Sequence, residues 1–253
     1  MDIGDCLSIS FKYPFKDFPN FKFVMLFFAL LVPLFYSIWY NTSSDIIISI
    51  SLILLLVVIL IIPGYLISIV KNGILQTGEV SNFNVKKNIV DTFKLFLISL
   101  VYSIVPIIVM LIVSFSFGIF AYSEVDLASL STAESNQLAL GIIITVLIAI
   151  LVEFVYVIFL IVAIARFAYL DSMSQAFEFG EVYRDIKKIG IGKLIGWLIV
   201  TNIIFNLIAR FGLLLVLIPV AGVLIYLLVL LPFALLFYAY SIGCIYSNVL
   251  ENE

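Results

Sequence analysis

The chain has 253 residues, of which 64% are hydrophobic and only 11% charged, with a formal net charge of -3 and a mean hydropathy of +1.29. A soluble domain is about half apolar and a quarter charged, so this composition excludes a water-soluble globule and predicts one membrane-embedded unit over residues 1–253, with the lipid bilayer as its first partner. The small net charge and the lack of a dense basic block exclude nucleic acid.

The N-terminal segment lacks the pattern of a cleavable signal, which needs a basic leader, a short apolar core and a small-residue cleavage site. Asp2, Asp5 and Asp17 lie among the lysines, and the first apolar run ends in Trp39 and Tyr40, residues suited to a membrane interface. It is read as a retained helix. A helix crossing the hydrocarbon core needs about 20 apolar residues, and six windows reach that length: 21–40, 46–70, 92–121, 138–165, 194–217 and 220–245. Pro219, Ala221 and Gly222 mark the turn between the last two, with Gly212 as the competing site. The expected fold class is an all-α integral membrane protein of six transmembrane helices with cytoplasmic interfacial helical segments.

Twelve of the 13 Lys and Arg residues lie in 12–22, 71–94 and 166–193, and only Arg210 lies elsewhere. Basic residues collect in cytoplasmic loops, and the loops at 41–45 and 122–137 contain none. The expectation is a multi-pass protein of the cell membrane with both termini cytoplasmic. Cys6 and Cys244 then fall on the reducing side, so no structural disulfide is expected. Pro33, Pro63, Pro106, Pro219 and Pro232 fall within spans or at their ends. Membrane helices tolerate such kinks when neighbours satisfy the freed carbonyls; a transport gate is the sharper alternative.

Each basic stretch begins near a glycine–acid pair: Gly4-Asp5, Gly78-Glu79 and Gly180-Glu181. Lysines follow at 12 and 16, at 86 and 87, and at 187 and 188, and then come two apolar spans. Three parallel repeats over about 1–70, 71–165 and 166–246 would produce this pattern, as would chance matching of a two-residue motif. Parallel repeats count mildly against a carrier built on inverted ones. In the third stretch Met173, Ala176, Phe177, Gly180, Tyr183, Ile186 and Ile189 recur at helical spacing. An amphipathic interfacial helix is expected there, packed against the ends of its own spans.

The candidate intramembrane polar site is Glu153, Arg210, Asn202 and Asn206. An acid at mid-span costs about 2.5–3.5 kcal/mol, against about 0.3–0.6 gained per Leu, Ile, Phe or Val, so the fourth span inserts without needing a partner for Glu153. A bundle-facing, functional acid is nonetheless the default for such a position. Arg210 lies about 25 Å along its span from Lys193, and Glu153 about 20 Å from Arg166, at 1.5 Å per residue. An Arg side chain can bridge that difference. The alternative has Arg210 snorkelling to the outer headgroups while Glu153 bonds a hydroxyl. Asn202 and Asn206 share a helix face, with Thr201 beside them and Gly192 and Gly196 below; helix packing is preferred over substrate binding. Asn41-Thr42-Ser43 is a glycosylation sequon hard against the membrane.

Chemistry is mostly excluded. The chain has no histidine, which removes imidazole bases, His-ligated zinc or haem, and His-centred triads. It has no Walker sequence, dinucleotide fingerprint, nucleophile elbow or C-x-x-C pair, and the outer acidic residues are too scattered for a metal site. Neither enzymatic activity nor a cofactor is expected.

The opening IGDCLSISFKYPFKDF, the segment PGYLISIVKNGIL and the segment AFEFGEVYRDIKKIG resemble a prokaryotic membrane family frequent in methanogenic archaea, domain of unknown function 4013. The resemblance covers nearly the whole chain and implies a fold but no catalytic residues. Abundant Ile, Phe, Tyr and Lys also match an AT-rich archaeal genome. The favoured function is a non-enzymatic scaffold, accessory or membrane-organising protein with a membrane or cytoplasmic protein partner. The alternative is a transporter or channel for a small solute or ion using Glu153 and Arg210.

Overall fold

The computed structural model describes residues 1–16, 18–39, 45–77, 83–118, 131–218 and 220–251. Eleven α-helices account for nearly all of them: α1 (Ile3–Lys16), α2 (Phe18–Ala29), α3 (Val32–Trp39), α4 (Asp45–Leu75), α5 (Val85–Ser116), α6 (Thr132–Leu170), α7 (Met173–Ala176), α8 (Phe179–Ile189), α9 (Ile191–Val216), α10 (Ala221–Ile225) and α11 (Leu231–Glu251). A π turn over Tyr226–Leu230 joins the last two into one rod. Its cause is Pro232: with no N–H to give and a ring that crowds the carbonyl of residue 228, it favours a locally widened turn.

Five helical stretches among the described residues are long and apolar enough to cross a membrane: Asp45–Leu75, Val85–Ser116, Thr132–Leu170, Ile191–Gly212 and Ala221–Glu251. The first expected span, 21–40, is instead broken. Helix α2 ends at Ala29, and the amides of Leu30 and Leu31 bond the carbonyls of Phe27 and Phe28, three residues back. That tightened turn precedes Pro33, which cannot continue the hydrogen-bond ladder. Helix α9 runs through Gly212, so the turn into α10 falls at 217–220; Pro219 itself lies outside the described residues. So do the Asn41 sequon, the Gly78-Glu79 pair, and Glu124 and Asp126.

Local chemistry explains where the helices begin. Asn84 accepts the amide of Lys87 at 3.1 Å and starts α5 as an N-cap. Ser131 and Glu134 form a reciprocal capping box, Ser131 N donating to Glu134 Oε2 at 2.9 Å and Glu134 N to Ser131 Oγ at 3.3 Å. Helix α6 therefore starts six residues before the expected span.

The chain divides into two compact units, Leu97–Ile161 on its own and the remainder, Met1–Phe96 with Val162–Glu253. The larger unit is built on the α4–α11 contact. These helices cross backbone to backbone. A Cβ at Gly73 would stand 2.3 Å from the Tyr240 carbonyl oxygen, and one at Gly243 would stand 2.0 Å from that of Val70. Only glycine allows this approach. Further along, Gln76 donates to Ser247 at 3.3 Å, so both helices advance in the same direction and are parallel. Helix α4 also meets α5, where a Cβ at Gly64 would stand 1.9 Å from the Asn88 carbonyl oxygen. There Gly64 N donates to Thr92 Oγ1 at 2.8 Å, a neighbouring helix serving a backbone group beside Pro63.

The smaller unit consists of the apolar stretches of α5 and α6. Little of either is covered: 11% of the most apolar window of α5 and 17% of that of α6 are buried, against 44% in Ala221–Glu251.

Candidate functional site

Polar side chains converge at one end of the larger unit, where all three basic stretches meet. Arg166, at the end of α6, is the centre of the strongest group, with its side chain 12% exposed. Its Nη1 donates to Asp185 Oδ2 at 2.9 Å, Nε donates to the Gln175 carbonyl at 3.1 Å, and Nη2 donates to Gln175 Oε1 at 3.2 Å. Glu178 and Glu181 lie 3.6 and 3.9 Å from Nη2. Asp185 is buried, and Tyr246 of α11 donates to the same Oδ2 at 2.7 Å. A buried carboxylate is tolerated only when paired and hydrogen-bonded, and this one has both a guanidinium and a phenol. The group binds α6, α8 and α11 together.

Helix α8 is thus docked on its own bundle, as expected, but in a different phase. The predicted stripe is continuous over 173–189, whereas the helix breaks at Phe177 and Glu178 and restarts. The buried face becomes Val182, Asp185, Ile186 and Ile189, while Gly180 and Tyr183 are exposed. Lys187 lies over the Tyr183 ring, 4.4 Å from its centroid. Gly190 then turns the chain into α9 at φ 92°, a conformation that favours glycine.

A second group joins α1, α2 and α4. Asn20 donates to Tyr13 Oη at 2.9 Å and accepts a short hydrogen bond from Tyr65 Oη, and Asn72 donates to Tyr13 at 3.4 Å. The Tyr13 ring stacks on Tyr240 with centroids 4.1 Å apart. In a third group Lys193 donates to Asn248 Oδ1 and to the Met1 carbonyl, each at 2.9 Å. Lys87 pairs with Asp171 at 3.2 Å, which ties the start of α5 to the end of α6. Cys6 and Cys244 are free and fully buried. A hydrogen bond with Cys244, followed by burial, pushes the Cys6 thiol up, so it is held neutral and unreactive.

The intramembrane candidates are placed differently. Glu153 and Arg210 are both exposed, the acid on α6 in the smaller unit and the arginine on α9 in the larger. Asn202 and Asn206 are also exposed, and each donates its amide to its own helix, to Leu198 O and Asn202 O at 2.9 Å. Thr201 is buried and bonds the Trp197 carbonyl at 2.7 Å. Gly192 has open space at its Cβ position, and at Gly196 only Ile3 Cδ1 comes close, at 3.1 Å. The close helix contacts use Gly64, Gly73 and Gly243 instead. No group of three or more acidic or cysteine side chains among the described residues is arranged to hold a metal.

Among the described residues the chain is all-helical, and several helices of membrane length with a polar, ion-paired end have the form of a multi-helix membrane protein. The profile of the family described as Protein of unknown function (DUF4013) matches residues 47–218, and the chain belongs to that family. No curated protein and no solved structure matches it.

Proposed function

We propose that the protein is a multi-pass component of the cell membrane with both termini cytoplasmic, acting without catalysis as a scaffold, accessory or membrane-organising protein. The observation that carries this reading is the Arg166–Asp185–Tyr246 group, which fixes an amphipathic helix at the end where the basic residues collect. That end presents Arg184 and Lys187 outward, a charged face of fixed shape suited to a membrane or cytoplasmic protein partner. Six crossings follow if α2 and α3 traverse together as one broken span. The threefold repeat has one support: Gly4-Asp5 and Gly180-Glu181 are the second and third residues of α1 and α8.

Two measurements test the proposal. With Cys6 and Cys244 replaced by Ala, an impermeant maleimide applied to intact cells should label Ser43→Cys and leave Lys187→Cys unlabelled; the reverse pattern refutes the orientation. Cross-linking from position 187 should capture one defined partner, and a blank counts against the scaffold role. The second reading, carriage of a solute or ion, draws on the mid-span Glu153. It predicts that Glu153→Gln abolishes proton-coupled uptake in proteoliposomes, and uptake surviving that change removes the acid from the mechanism.

A further inference from the structure

Two charged helix faces stand out because each is exposed where the surroundings are apolar. On α6, Ile143, Val146, Ile150 and Glu153 follow one another at three- and four-residue steps, and all four are exposed. On α9, Ile199, Asn202, Ile203, Asn206 and Arg210 do the same. Residues at these steps share a helix face. One face therefore carries an acid among aliphatic residues, and the other carries a base with two amides.

Lipid is a poor cover for either face. An ionised group in hydrocarbon is costly, and such groups pair or face protein or water. The guanidinium has five N–H donors and no acceptor. Asn202 and Asn206 each use one amide hydrogen within α9, which leaves their Oδ1 atoms and a second hydrogen available to a second surface. Small polar groups of this kind are what associating membrane helices bond across.

We infer that the chain self-associates in the bilayer, the Glu153 face of α6 in one copy packing on the Asn202–Arg210 face of α9 in a second, with Glu153 ion-paired to the partner subunit's Arg210. The occupant is a second copy because the two faces are complementary in charge and lie at comparable distances along their own helices from the basic residues at the helix ends. Copies inserted in one orientation place Glu153 about 20 Å above the basic end and Arg210 about 25 Å above it, within reach of the long Arg stem. This inference rests on the membrane-spanning reading and deepens the organising role, since association through such a face gathers copies in the plane of the membrane.

The test uses the full chain, donor- or acceptor-labelled, reconstituted at high dilution into phosphatidylcholine vesicles, with energy transfer between copies as the readout. Vesicle flotation comes first: a chain that does not float with lipid defeats the membrane reading itself. For inserted protein, transfer above the random-coincidence level is expected. Glu153→Arg and Arg210→Glu should each raise the dissociation constant about 30-fold or more. Mixing the two variant chains should restore transfer, because each then meets its complement in trans. The double variant carrying both reversals should also associate, which shows that the reversed charges still allow folding. A monomeric wild type, association indifferent to either reversal, or rescue in the double variant without rescue on mixing would each overturn the inference. The last of these would place the pair within one chain.

Discussion

Asp185 is the residue on which the polar end of the larger unit depends. It is 2% exposed and holds Arg166 and Tyr246 with one oxygen. Removing one partner of a buried ion pair costs up to about 3–5 kcal/mol, an upper bound here because Glu178 and Glu181 stay at 3.6 and 3.9 Å from Arg166. Asp185→Ala should therefore release α8, measured as faster amide exchange over residues 179–189 and new proteolysis near Gly190. Tyr246→Phe removes only one hydrogen bond and should cost about 1–3 kcal/mol, with α8 still docked. Equal effects from the two changes would show that Arg166 is not what the carboxylate serves. Position 185 was legible as a polar site in an amphipathic segment, but its burial was not. The helical phase that exposes it holds only for an unbroken helix, and the break at Phe177 and Glu178 resets the phase.

Elements were read best where length and apolarity decide the outcome. Five of the six windows correspond to helices of membrane length, because a helix satisfies its backbone polar groups within a single apolar run. The first window is divided into two helices ahead of Pro33, a break that hydropathy does not register. The early start of α6 was available in Ser131 and Glu134, a capping signature lying outside the apolar window. The contact glycines were not legible, since a glycine in an apolar run looks the same whether lipid or another backbone lies over it. Gly243 gives the measurable consequence. In Gly243→Val the side chain must enter the space of the Val70 carbonyl, and overpacking of this kind costs about 1–3 kcal/mol or more. Thermal unfolding in detergent should shift downward accordingly. Gly192→Val, with open space at its Cβ position, should leave the midpoint nearly unchanged.

At the scale of the whole molecule, apolar burial is uneven. The larger unit has glycine crossings, aromatic contacts such as Phe11 on Phe233 at 5.1 Å, and all the polar groups described at its end. The stretches of α5 and α6 in the smaller unit cover little of their own surface. Composition gave the class of the protein, and charge distribution gave which ends gather together. Neither indicated that Glu153 and Arg210 would lie on exposed faces, because periodicity in a helix apolar all round identifies no inner side.

Helix α11 packs against α1, α2, α4, α8 and α9, and every one of these precedes it in the chain. During synthesis the helix that holds them together is the last of the set to leave the ribosome. Until it arrives, the glycine seat on α4 is open, Tyr13 lacks its stacking partner, and Asp185 lacks its phenol. The earlier helices have only their pairwise contacts, such as α3 on α4 and α8 on α9, until it joins them. A chain arrested before residue 231 would keep the Arg166–Asp185 pair but lack the helix on which α1, α2, α4, α8 and α9 all pack.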